Sequence, residues 1–179
     1  MRRFAILSAC LVLGLASAAD EKGTKVNFDG LSSTTPATWE KDKPASTMRF
    51  AQFKLPKKGD DKEDAEVVIF AGFGGSAKAN VDRWKLQFKP AGGKSADDVA
   101  KVTEMKVAGC DVTRLEIEGT WAGTPTKPGV KSDVKAGYKG VFYQFEGPEK
   151  IYHIRLIGPT KTVDEYKKGY DEWVKGFKK

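Results

Sequence analysis

Two long runs of alternating side chains, each folded back on itself over a few turn residues, restrict this fold more than any other feature. Residues 101–107 and 111–118 flank Ala108, Gly109 and Cys110, and residues 138–145 and 150–157 flank Gly147, Pro148 and Glu149. Short turns between such runs commit them to antiparallel pairing, because parallel neighbours need a long crossover. Residues 25–31, 47–55 and 66–70 add three further strand patterns, the last a compact run rich in β-branched residues. Two segments break this rhythm with helical spacing. After Gly74 and Gly75, Ser76 is placed to cap a helix whose stripe is Ala77, Val81, Trp84 and Phe88, closed by Pro90, Gly92 and Gly93. Near the C-terminus, Thr162 and Glu165 have capping-box spacing, and Val163, Tyr166, Tyr170, Trp173 and Phe177 form one apolar stripe. The pattern predicts an α+β domain: a mostly antiparallel sheet of about six or seven strands with two amphipathic helices. Residues 57–64 and 119–137 are expected to be loops, the first densely charged.

The N-terminus predicts the compartment. Arg2 and Arg3 precede a short apolar run from Phe4 to Leu15, and Ala16, Ser17 and Ala18 supply small residues for cleavage. This is the pattern of a signal peptide over residues 1–18, and its apolar run is too short to anchor in a bilayer. The expected mature chain is one domain over residues 19–179, exported to the periplasm or secreted, with no transmembrane span after cleavage. Cleavage also removes Cys10, leaving Cys110 as the single cysteine, so the domain holds together without an internal disulfide.

Removal of Arg2 and Arg3 lowers the formal charge from +7 to +5. The cations are nearly all lysines interleaved with acids, as in Lys57, Lys58, Asp60, Asp61, Lys62, Glu63 and Asp64. Phosphate recognition gathers arginines on one face instead, so a nucleic-acid partner is not expected.

The motifs of chemistry are incomplete. Gly72, Phe73, Gly74, Gly75 and Ser76 join a strand to a helix, where backbone amides can cradle an anion. A dinucleotide fingerprint would need a third glycine where Ala77 stands. Gly93, Lys94 and Ser95 imitate the tail of a phosphate-binding loop, but Phe88 occupies the position of its opening glycine. The acids between Asp60 and Asp64 lack the ligand alternation of a calcium loop. With one histidine and one mature cysteine, no ordinary zinc site is expected. No catalytic residue and no cofactor is assigned. The expected ligand-binding residues are those of the glycine turn and the helix behind it: Gly74, Gly75, Ser76, Asn80 and Arg83.

Alternation suggests a second surface. Thr113, Leu115 and Ile117 share one side of their strand, leaving Arg114 and Glu116 on the other. Tyr152, Ile154 and Leu156 likewise oppose His153 and Arg155. If the polar sets share one side of the sheet, Arg114, Glu116, His153 and Arg155 form a mixed-charge partner surface.

The run Met48, Arg49, Phe50, Ala51, Gln52, Phe53, then Leu55 and Pro56, then Gly74, Gly75, Ser76, Ala79, Asn80, Asp82, Arg83 and Trp84, resembles a family of uncharacterised exported bacterial proteins. Gly158 and Pro159 before the last helix fit the same pattern. The order of elements also resembles the PsbP-like α/β sandwich, named for an extrinsic photosystem II subunit. That resemblance implies a binding or assembly role. The expected function is thus a non-enzymatic binding or scaffold domain with an envelope or extracellular partner. The alternative is a small-ligand or anion binder, or an enzyme, built on the turn from Gly72 to Ser76.

Overall fold

The hairpin signals become the centre of one large sheet. The computed structural model describes residues 23–123 and 134–179, so the expected leader at 1–18 and most of the expected loop at 119–137 lie outside the described residues. Strands β7 (Lys101–Val107), β8 (Cys110–Trp121), β9 (Lys135–Glu146) and β10 (Ile151–Pro159) pair antiparallel in succession. The sheet continues through β5 (Ala65–Ala71), β4 (Arg49–Leu55) and β3 (Glu40–Asp42). A short strand β6 (Phe88–Lys89) joins the outer side of β8 beyond β7. All these pairings are antiparallel.

Three short strands extend the expected set. β1 (Lys25–Phe28) does not run on to Leu31; the chain turns at Asp29 and Gly30 into β2 (Leu31–Thr34). Both turn residues have positive φ, 46° and 74°, as a tight two-residue hairpin requires. Residues 32–34 are therefore strand. The β3 and β6 segments are too short to announce themselves by alternation.

The sheet has two apolar faces. The first carries Phe53, Leu55, Val67, Ile69, Val141, Tyr143, Phe145, Ile154 and Leu156 beneath α3 (Thr160–Lys175) and the β1–β2 hairpin. The α3 stripe of Val163, Tyr166, Tyr170 and Trp173 is buried there, together with Phe177 just past the helix and Trp39. Cys110 is a half-buried free thiol against this core. The second face carries Leu115, Ile117, Tyr138, Phe142 and Ile157 beneath Val81 and Trp84 of α1 (Ala77–Lys85).

Two helix ends differ from expectation. Ser76 does cap α1, its Oγ accepting from Ala79 N at 3.3 Å, but the helix stops at Leu86. Phe88 enters the same core from β6 instead of from the helix stripe. The α3 helix begins at Thr160 without a side-chain cap of its own. Asp61 from the charged loop supplies one: its Oδ2 accepts from both the N–H and the hydroxyl of Thr162, each at 2.7 Å. Between the α1 and β7 segments a third helix, α2 (Ala96–Val99), carries a capping box of Ser95 and Asp98.

Candidate binding site

Register decides which side chains can meet. Directly opposed residues of antiparallel strands share a face. Arg114 opposes Tyr143, which lies in the first core, so Arg114 and Glu116 stand under α3. His153 opposes Gln144 and Phe70, and Arg155 opposes Phe142 and Val68, so both stand on the second face. The expected shared platform of Arg114, Glu116, His153 and Arg155 does not form, because the two polar pairs lie on opposite sides of the sheet.

Nor are these side chains exposed. Arg114 is buried, its Nε and Nη2 donating to the two carboxylate oxygens of Asp171 at 3.1 Å each. Nη2 also reaches Glu116 at 2.9 Å, and Tyr143 donates to Asp171 at 2.7 Å. Burial opposes the charge on Arg114, but the carboxylates of Asp171 and Glu116 outweigh it and hold its pKa above the usual guanidinium value. Lys167 completes the cluster by pairing with Glu116 at 2.9 Å. The set is a closed ion-pair lattice that fixes α3 to the sheet.

The glycine turn is also spent on structure. Asn80 is buried and donates from Nδ2 to Gln144 Oε1 at 2.6 Å and to the carbonyls of Gly74 and Gly75 at 3.4 Å each. Gly75 has φ of +106°, and a Cβ there would sit 3.2 Å from Asn80 Nδ2, so the residue type follows from the turn. Ser76 and Arg83 are exposed, and Arg83 forms no ion pair among the described residues.

What the turn does position is Phe73. Its ring stacks on His153, centroids 5.9 Å apart with planes at 25°, and meets Phe70 edge-on at 5.7 Å. Trp84 closes the other side of His153. The imidazole is buried, its Nε2 has no hydrogen-bond partner among the described residues, and burial, reinforced by Arg83, pulls its pKa down to about 4.

Beside this aromatic wall, the β4–β5–β10 half of the second face carries a group that the helix α1 does not cover. Glu66 stands between two arginines: Arg155 Nη2 donates to its Oε1 at 2.8 Å, and Arg49 Nη1 donates to its Oε2 at 3.1 Å. Arg49 Nη1 also reaches Gln52 at 2.9 Å. The Arg155 guanidinium lies over the Phe70 ring, 5.2 Å from its centroid. Arg155 Nε is buried with no hydrogen-bond partner among the described residues. The sequence placed Arg155 on a polar face but gave no sign of Arg49 and Glu66 as its partners, because they meet only through long-range strand register.

A cleft of about 520 Å³ lies where β6 and β7 leave the middle of β8 without an outer neighbour. Its walls include Lys94, Lys101, Glu118 and Lys139. Lys139 is engaged with Glu118 and Asp164, so much of the charge there is already compensated. Among the described residues no three histidine, cysteine or acidic side chains gather as metal ligands. None of the described helices is long and apolar enough to cross a membrane.

Comparison with known structures shows a fold similar to that of PsbP. The solution structure of cyanobacterial PsbP (CyanoP) from Synechocystis sp. PCC 6803 is similar at a TM-score of 0.52 and 14% identity, over 96% of this chain and 97% of that one. A protein of unknown function from Pseudomonas aeruginosa, PA94, described as a putative regulator, is similar at 0.49 and 12%, over 85% and 93% of the two chains. A Bacteroides thetaiotaomicron protein is similar at 0.47 and 14%, over 87% of this chain and 48% of that one. No family model and no curated protein sequence matches this chain.

Proposed function

We propose that this chain is an exported, non-enzymatic binding domain, working in the periplasm or outside the cell, that contacts an envelope or extracellular partner through the open half of its second sheet face. One observation carries the choice of surface. On that half-face Arg49 and Arg155 share a single carboxylate, Glu66, leaving guanidinium donors unused beside the half-buried rings of Phe70 and Phe73. Arginine with aromatic neighbours is the composition of protein recognition surfaces. The polar groups on the first face are spent on one another. The leader-like residues 1–18 support export, and the interleaving of lysines with acids supports a partner other than nucleic acid. A binding role suits His153 too: held neutral between Phe73 and Trp84, it serves the wall of the surface.

The test is site-directed photocrosslinking in the envelope fraction. A benzophenone side chain replacing Phe73 is expected to give discrete adducts, whereas the same probe replacing Lys168, highly exposed on α3, gives none. Adducts from Lys168 alone would move the binding surface to the helical layer. Mass spectrometry of the recovered protein is expected to show an N-terminus at Ala19 or Asp20; an intact Met1 would contradict export.

A further inference from the structure

The charge balance around Glu66 is incomplete. Arg49 and Arg155 bring two positive charges, and Glu66 returns one. The next carboxylate on that edge, Asp42, accepts from Gln52 Nε2 at 3.2 Å and from the Lys43 N–H at 2.7 Å, and pairs with neither arginine. Among the described residues Arg49 donates only through Nη1 and Arg155 only through Nη2. Their side chains are 20% and 18% exposed, so both are largely desolvated, and apart from the buried Arg155 Nε their guanidinium groups remain partly accessible. Burying a cation without full compensation is costly, and so is leaving its donors unmet.

We propose that this half-face binds a monocarboxylate carrying an apolar group, with the carboxylate on the free donors of Arg155 and Arg49 and the apolar group against Phe70 and Phe73. The assignment specifies the ligand chemistry of the surface proposed above and rests on that reading. Three features select this class. One negative charge neutralises the excess, whereas a phosphate dianion would overshoot it. A planar guanidinium donates well to a carboxylate, and the cluster already holds one carboxylate, Glu66, by a single bond from each arginine. The rings of Phe70 and Phe73 meet edge-on beside the Arg155 guanidinium and offer an apolar wall at bonding range of the charge. The carboxylate could come from a free organic acid or from the C-terminus of a partner chain, which present the same group.

The experiment follows the side-chain Nε–Hε resonance of Arg155 by NMR during titration of the full mature chain. The probes are phenylacetate, benzyl alcohol as its neutral counterpart, inorganic phosphate, and a short peptide ending in phenylalanine with either a free or an amidated C-terminus. A saturable shift with phenylacetate, absent with benzyl alcohol, supports a free acid. A shift with the free-terminus peptide only, absent with its amide, supports a chain terminus. Arg155→Gln is expected to abolish either response. Glu66→Gln removes the competing negative charge between the two arginines and is expected to tighten binding by about tenfold, on the order of one charge-assisted hydrogen bond. Equal shifts from charged and neutral probes, a stronger response to phosphate, no response to any probe, or weaker binding by Glu66→Gln would each overturn the proposal. Crosslinking from the Phe73 position would survive that failure, so the surface and its ligand chemistry are tested separately.

Discussion

The indole of Trp84 stands edge-on to the imidazole of His153, ring centroids 5.2 Å apart and planes at 86°. Phe73 stacks on the imidazole's other neighbour side, and Gln144 and Phe70 flank it on the adjacent strands. Arg83 is the charged group whose field acts on it. Burial therefore favours the neutral ring and pulls its pKa from 6.5 to about 4. The unfolded chain takes up a proton at a higher pH than the folded one, so stability is complete above pH 6.5 and falls as the pH drops toward 4. The shift corresponds to roughly 3 kcal/mol across that window. Urea melts at a series of pH values are expected to show this slope, and His153→Phe is expected to flatten it between pH 6.5 and 4.5. An unchanged slope in the variant would place the titration elsewhere.

Trp84 also stacks on Phe142 at 5.2 Å and 18°, and is buried at the centre of the second core. Trp84→Ala is expected to cost about 3–5 kcal/mol in chemical denaturation, the range for a large buried aromatic. A loss below about 1 kcal/mol would mean that α1 does not hold this face.

Arg114 and Asp171 join the sheet to α3 through two hydrogen bonds. Asp171→Ala leaves the buried Arg114 guanidinium with Glu116 alone and removes the acceptor of Tyr143, and is expected to destabilise by about 3 kcal/mol. Reversing charge at Arg114 and Arg155 together is expected to prevent folding, not to probe a surface. A soluble double variant with the wild-type circular dichroism spectrum and melting point would refute this account of the first face.

Asp61 caps α3 from a loop about a hundred positions away in sequence. Asp61→Ala is expected to cost about 1–2 kcal/mol, and Glu165→Ala, an exposed change at the expected capping-box position, close to nothing. The reverse order in thermal melts would restore the sequence-based cap.

These cases show where local sequence stops being informative. The long hairpins and the α3 stripe were legible because each is written in consecutive residues. The Asp29–Gly30 turn carries an equally local signal, and its hairpin could have been found from that pair alone. Phe88 reached the expected core by a strand because Leu86 ends the helix two residues earlier. Alternation told which residues of one strand share a side, but not how sides match between strands. That depends on register set by non-local pairing, and it sent Arg114 and His153 to opposite faces. The same pairing brought Arg49, Glu66 and Arg155 together from three strands, a cluster no spacing in the sequence could indicate.

The central claim is that the open half of the second face is a binding surface for an apolar monocarboxylate. Backbone amide shift mapping of the isotope-labelled mature chain, titrated with phenylacetate, tests it most directly. Perturbations are expected to concentrate at Arg49, Gln52, Glu66, Phe70, Phe73 and Arg155. Perturbations concentrated instead at Lys94, Lys101, Gly119 and Lys139, around the cleft between β6 and β7, would contradict it.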